Sequence, residues 1–137
     1  MSRGFVTIAT GKERYYRMAA NLLRSYRYHS ADPEPFAIIC DRENRYTILF
    51  DETIHMESPS FSFADKLKLP EYLPFDETIF IEADCLAYKD LNEFWKAFED
   101  AAAFSAFGSN NSFITLTDGS IKKEWESTGI ASPTVPT

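Results

Sequence analysis

Glu82 and Asp84 stand on either side of Ala83, at the end of the apolar run in ETIFIEADCLAYKDLNEFW (residues 77–95). Side chains alternate along a strand, so if extended backbone persists through Ala83 the two carboxylates converge on one point. Two ionised carboxylates held that close repel, and the pKa of one would rise. A hard divalent cation, Mg2+ or Mn2+, removes the conflict, because both ions favour oxygen ligands and complete their shells with water and phosphate oxygens. Such an ion would also supply the positive charge that an acidic chain needs to hold a diphosphate. The plainer alternative is that acids are common at strand ends, and Glu-x-Asp alone has little specificity.

The elements that must position these acids follow from the apolar pattern. GFVTIATG (residues 4–11) is a β-rich run closed by glycine. Ala19, Leu22, Leu23 and Tyr26 recur at helical spacing, which predicts a helix over residues 12–29 with arginines on its other side. Breakers at residues 31–35 precede a second strand, PFAIICD (35–41), and a weaker third is expected at 53–56. FSFADKLKLPEYL (61–73) reads as a short helix interrupted at Pro70, and residues 78–81 as the fourth strand. Asp90 with Glu93 three positions on is an N-cap signature for a helix over 91–102, and AFSAFG (103–108) suggests a further strand. Beyond Ser109 the pattern fades, apart from a hairpin-type turn at Thr117-Asp118-Gly119. Strands alternating with helices predict an α/β fold with a mostly parallel sheet and flanking helices, whose ligands sit beyond the carboxyl ends of the strands. That rule makes residues 9–11, 40–41 and 82–84 neighbours in space.

At 137 residues the chain is the size of one ordinary domain, and 45% apolar with 26% charged residues is ordinary globular composition. The net charge of −7 is uneven: residues 1–45 carry eight Lys/Arg against five Asp/Glu, and the rest six against sixteen. The acidic total argues against a nucleic-acid binder. Arg14, Arg17, Arg24 and Arg27 form either a solvated helix face or a membrane-surface stripe. No apolar run approaches a membrane span, and MSRGFVTIAT has no signal-peptide pattern, so a cytoplasmic protein is expected, peripheral to the membrane if the stripe is used. Cys40 and Cys85 lack metal-ligand spacing and are expected as free thiols, with Cys85 and Trp95 as packing residues. Gly11-Lys12 lacks the remaining glycine spacing of a phosphate loop.

IFIEADCLAYKDLNEFW resembles the D-x-D segment of nucleotide-sugar glycosyltransferases of the GT-A fold, closest to family 8, the glycogenin- and galactosyltransferase-like enzymes. KLKLPEYLPFDETIF resembles the stretch that leads into that segment, and GFVTIATGKERYYRMAANLLRSY the opening strand and helix, so the likeness runs over residues 4–108. It implies a nucleotide-sugar-binding α/β domain over 1–108, with 109–137 as a less ordered continuation toward an acceptor-side half that lies outside the chain. By the same resemblance, Asp84 would coordinate Mn2+ or Mg2+, and Glu82 would share the metal or contact the donor ribose. Thr7, Ala9 and Thr10 would line the nucleoside pocket, Tyr15 would stack on the base, Asp41 would sit at the base or ribose edge, and Lys66 would lie near the donor. Each has a plainer alternative: Tyr15 packing on the sheet, Lys66 as a solvated lysine, Asp41 as a loop-starting acid.

The first acid is Glu where the family more often has Asp. His29 and His55 stand too early to match the family's further His ligand. The implied activity is metal-dependent transfer of a sugar from a nucleoside-diphosphate sugar, a UDP-sugar first among them, to a glycan, lipid or protein acceptor. The alternatives are a non-catalytic nucleotide-binding fragment or subunit, paired through a sheet edge with another chain or as a homo-oligomer, and a metal-dependent nucleotidyltransferase.

Overall fold

The computed structural model describes residues 2–99. Within them the chain divides into two compact units between Asn92 and Glu93. The first holds a four-stranded sheet, all parallel, in the order β3-β2-β1-β4. Its strands are β1 (Arg3–Ala9), β2 (Phe36–Cys40), β3 (Glu52–His55) and β4 (Glu77–Phe80). The helix α1 (Glu13–His29) connects β1 to β2, and a 3₁₀ helix (Phe63–Tyr72) lies between β3 and β4. This is an α/β fold, as the alternating pattern predicts.

The two faces of the sheet are covered by different elements. All five residues of β2 are buried, the signature of an interior parallel strand covered on both sides. On one face Phe5, Tyr26 and Phe36 form an aromatic triangle with ring centroids 4.9–5.8 Å apart, and Phe36 also meets Phe50. Because Tyr26 belongs to α1, this face carries Phe5, Thr7 and Ala9 of β1 toward α1. On the other face Val6, Ala37, Ile39 and Met56 form the core, with Leu69, Tyr72, Phe75 and Phe80 packed against it. Gly4 lies where a Cβ would come within 2.6 Å of the Pro35 carbonyl oxygen and 2.4 Å of the Phe75 ring, so only glycine fits.

Helix α1 buries Tyr16, Ala19, Ala20, Leu22, Leu23 and Tyr26 in one stripe. Glu13 in its first turn and Arg27 and His29 in its last complement the helix dipole. The helix expected over residues 61–73 is instead 3₁₀, because Pro70 has no N–H to give and its ring crowds the carbonyl four residues back. The helix expected over 91–102 begins at Glu93, as α2 (Glu93–Ala97) in the second unit, with Trp95 as its buried residue. Asp90 does act at that boundary, its carboxylate accepting from the Asn92 N–H at 3.0 Å. The strand at 103–108, the turn at 117–119 and the boundary at 108 lie outside the described residues. Among the described residues, no helix is long and apolar enough to cross a membrane.

Candidate functional site

The strand order creates a switch point. From β1 the chain moves outward through β2 to β3, then crosses back to place β4 on the opposite side of β1. In open α/β sheets the crevice outside the carboxyl ends of the strands at such a reversal is where ligands bind. Here those ends carry residues 9–11 after β1 and residues 82–84 after β4.

The β4 side departs from the expected geometry. The Ile81 N–H still reaches the Val6 carbonyl at 2.9 Å, which completes the β ladder. The chain then reverses, with the Cys85 N–H donating to the Glu82 carbonyl at 3.1 Å. Glu82 and Asp84 are therefore the first and third residues of a tight turn, not two same-facing residues of a persisting strand. The β4 register with β1 ends at Val6 and Phe80, although β1 itself continues to Ala9. The Glu82 carboxylate instead meets the Lys66 ammonium from the 3₁₀ helix in an ion pair that remains partly exposed. A pair this accessible contributes less than about 1 kcal/mol, so a competing cation could take Glu82 with little structural penalty. Lys66 is thus drawn to the acidic turn and is not simply a solvated lysine.

Asp84 is exposed, and the Cys85 thiol lies 3.9 Å from its Oδ1. Partial desolvation of its sulfur and the negative charges of Asp84 and Glu82 push the Cys85 thiol up. Cys85 is exposed, a correction to its reading as a packing residue, whereas Cys40 is buried and burial pushes its thiol up to about 11. Both cysteines are free. Among the described residues, no group of three or more His, Cys, Asp or Glu side chains could hold a metal ion. The turn offers two carboxylates, an all-oxygen donor set that suits a hard cation completing its shell with water and phosphate.

On the β1 side, Asp41 ties three elements together. Its Oδ1 accepts the Gly11 N–H at 3.4 Å and the Tyr16 hydroxyl, while its own N–H donates back to that hydroxyl at 3.3 Å. Arg42 pairs with its Oδ2 at 3.3 Å and lays its guanidinium 4.6 Å above the Tyr16 ring. Burial, and then the hydrogen bond to the Asp41 carboxylate, raise the Tyr16 phenol, which stays a neutral donor. Asp41 is therefore at the carboxyl edge, as expected, but engaged in holding it together.

The remaining predicted residues separate. Thr7 and Ala9 direct their side chains under α1, at 0% and 2% exposure, so only their backbone could line a pocket, a correction to their expected role. Thr10 is half-buried at the strand end. Tyr15 is 38% exposed in the first turn of α1 and does not pack into the core. Its hydroxyl accepts from Arg14 at 2.9 Å, and the Arg14 guanidinium lies 4.9 Å from its ring centroid. Two surface concavities, about 420 and 670 Å3 in volume, lie elsewhere, one beside residues 52–54 of β3 and one around Arg3, Glu34 and Phe75.

Three residues at or beside this edge escape the sequence reading. Tyr16 is one, and Asp65 and Phe61 are the others. Asp65 is 3% exposed and accepts the Ser60 N–H and hydroxyl, each at 2.8 Å, and the Phe61 N–H at 3.1 Å. Ser62-x-x-Asp65 has the spacing of a capping box and was the available signal. Ser62 does cap the 3₁₀ helix, accepting from the Ala64 N–H at 3.2 Å, but Asp65 reaches back beyond it to the preceding loop. In comparisons with known proteins, no family model matches the chain, and none of the curated proteins matches it either.

Proposed function

We propose that this chain carries the donor-binding part of a metal-dependent glycosyltransferase of GT-A type, taking a nucleoside-diphosphate sugar with UDP-sugars first. The observation that carries this reading is the acidic turn of Glu82 and Asp84, with Lys66 drawn onto it, at the carboxyl end of the strand across the switch point from β1. The order β3-β2-β1-β4 repeats the first four strands of the dinucleotide-binding arrangement, which supports a nucleotide as the ligand. The resemblance of residues 4–108 to the family 8 pattern supports a sugar nucleotide in particular.

Asp84 and Glu82 would be the protein's ligands to Mn2+ or Mg2+, with the donor diphosphate completing the shell. When bound, the ion acts as a Lewis acid on the charge that develops on the departing diphosphate. Lys66, whose ion pair with Glu82 is partly exposed, would supply a second positive charge for the same phosphates. Thr10, the backbone of residues 7–11 and Tyr15 border the nucleoside, with Asp41 fixing the loop that presents them. The test is release of UDP from UDP-glucose in the presence of Mn2+. Wild-type protein should release UDP and Asp84→Ala should not. Equal release by both would remove the carboxylates from the mechanism. Binding without release would favour a nucleotide-binding subunit.

A further inference from the structure

Phe61 stands beside the same edge of the sheet, in a conformation that L residues rarely adopt. Its φ is +58°, in the left-handed region where a side chain crowds its own backbone and glycine is the economical choice. Such strain persists only where the surroundings hold it, and it concentrates at ligand-binding positions. The restraint here is Asp65, which accepts the Phe61 N–H itself as well as the Ser60 N–H and hydroxyl.

The ring is held against Gly11, in the loop that leaves β1. A Cβ at Gly11 would come 3.2 Å from Phe61 Cδ1, and Gly11 itself has a φ of +81°. The rest of the ring is open: Phe61 is 64% exposed, and none of the described residues supplies an aromatic or cationic partner for it. A bulky apolar ring is thus fixed in water, at a backbone position that disfavours it, beside the loop whose Gly11 N–H is held by Asp41.

We propose that Phe61 stacks on the nucleobase of the bound nucleotide and that Asp65 is the residue that positions it. The inference rests on the proposed nucleotide site and adds its base-recognition element. The chemistry of the two ends differs as a nucleoside diphosphate requires. Glu82, Asp84 and Lys66 suit the metal and diphosphate, whereas Phe61 offers a flat π face that any base can cover. Tyr15 already carries the Arg14 guanidinium near its ring, so Phe61 presents the less occupied face.

The experiment titrates UDP and inorganic pyrophosphate, each with Mn2+, into the wild type and into Phe61→Gly, Phe61→Leu and Phe61→Tyr, with thermal unfolding recorded for every variant. Wild type should hold UDP more tightly than pyrophosphate. Phe61→Gly and Phe61→Leu should lose about tenfold in UDP affinity with pyrophosphate unchanged, and Phe61→Tyr should retain UDP binding. The Phe61→Gly midpoint should not fall, because glycine relieves the strained φ. Equal UDP affinity in all four proteins would overturn the proposal while leaving the nucleotide site standing. A parallel loss of pyrophosphate binding, or UDP held no better than pyrophosphate by the wild type, would also overturn it. Failure of the wild type to bind either ligand would overturn the proposed function as well.

Discussion

Replacing Thr7 with valine isolates the energetics of one buried atom. Thr7 is fully buried on the α1 side of β1, and its Oγ1 has no hydrogen-bond partner among the described residues. Leaving a buried hydroxyl unsatisfied costs about 1–3 kcal/mol relative to solvating it in the unfolded chain. Valine keeps the branched shape and the volume, opens no cavity and has the higher β propensity. Thr7→Val should therefore raise stability by about 1 kcal/mol, which for a domain of this size is a rise of about 4 °C in Tm. Thr7→Ser is the control, because it keeps the hydroxyl and removes the methyl, and it should lose about 1 kcal/mol. Urea unfolding followed by circular dichroism measures both. A loss of stability in Thr7→Val would contradict this and mean that the hydroxyl does have a hydrogen-bond partner, such as a buried water. Because the Thr7 side chain lies under α1, the same variant should also leave UDP affinity unchanged.

Two further expectations concern the scaffold. Gly4→Ala forces a methyl against the Pro35 carbonyl and the Phe75 ring, and since the carbonyl belongs to the backbone it should destabilise by about 1–3 kcal/mol in the same unfolding assay. At Asp65, burial raises the carboxyl, but the hydrogen bonds from Ser60 and Phe61 outweigh it and hold the pKa below its ordinary 3.8. A depressed carboxyl contributes stability that is present above its unfolded pKa and lost as the pH falls through the folded one. Thermal midpoints measured from neutral pH down through 3.8 should therefore fall more steeply for wild type than for Asp65→Asn, and parallel slopes would contradict the assignment.

The elements with strong periodicity were legible before the structure. The apolar runs of β1 and β2 and the helical stripe of α1 needed only their spacing, because both faces of β2 and one face of α1 are buried. The stripe could have been carried one step further: three residues before Ala19 stands Tyr16, which places it inside and leaves Tyr15 out. The turn at Glu82 was not legible, because Glu82-Ala83-Asp84-Cys85 carries no glycine or proline to mark it. Nor does the pairing of Lys66 with Glu82, sixteen residues apart, follow from local pattern. It depends on how the 3₁₀ helix returns the chain to the sheet. Asp65 has a local signature, but its partners lie on the far side of the cap from those the signature specifies.

If Glu82 and Asp84 hold a divalent cation for a nucleoside diphosphate, as proposed, UDP binding must depend on that cation and on Asp84. Calorimetric titration of UDP into the wild type and Asp84→Ala, with and without Mn2+, tests it most directly. Binding should require Mn2+ in the wild type and weaken by about tenfold or more in Asp84→Ala. Binding of equal strength in both proteins, indifferent to Mn2+, would contradict it.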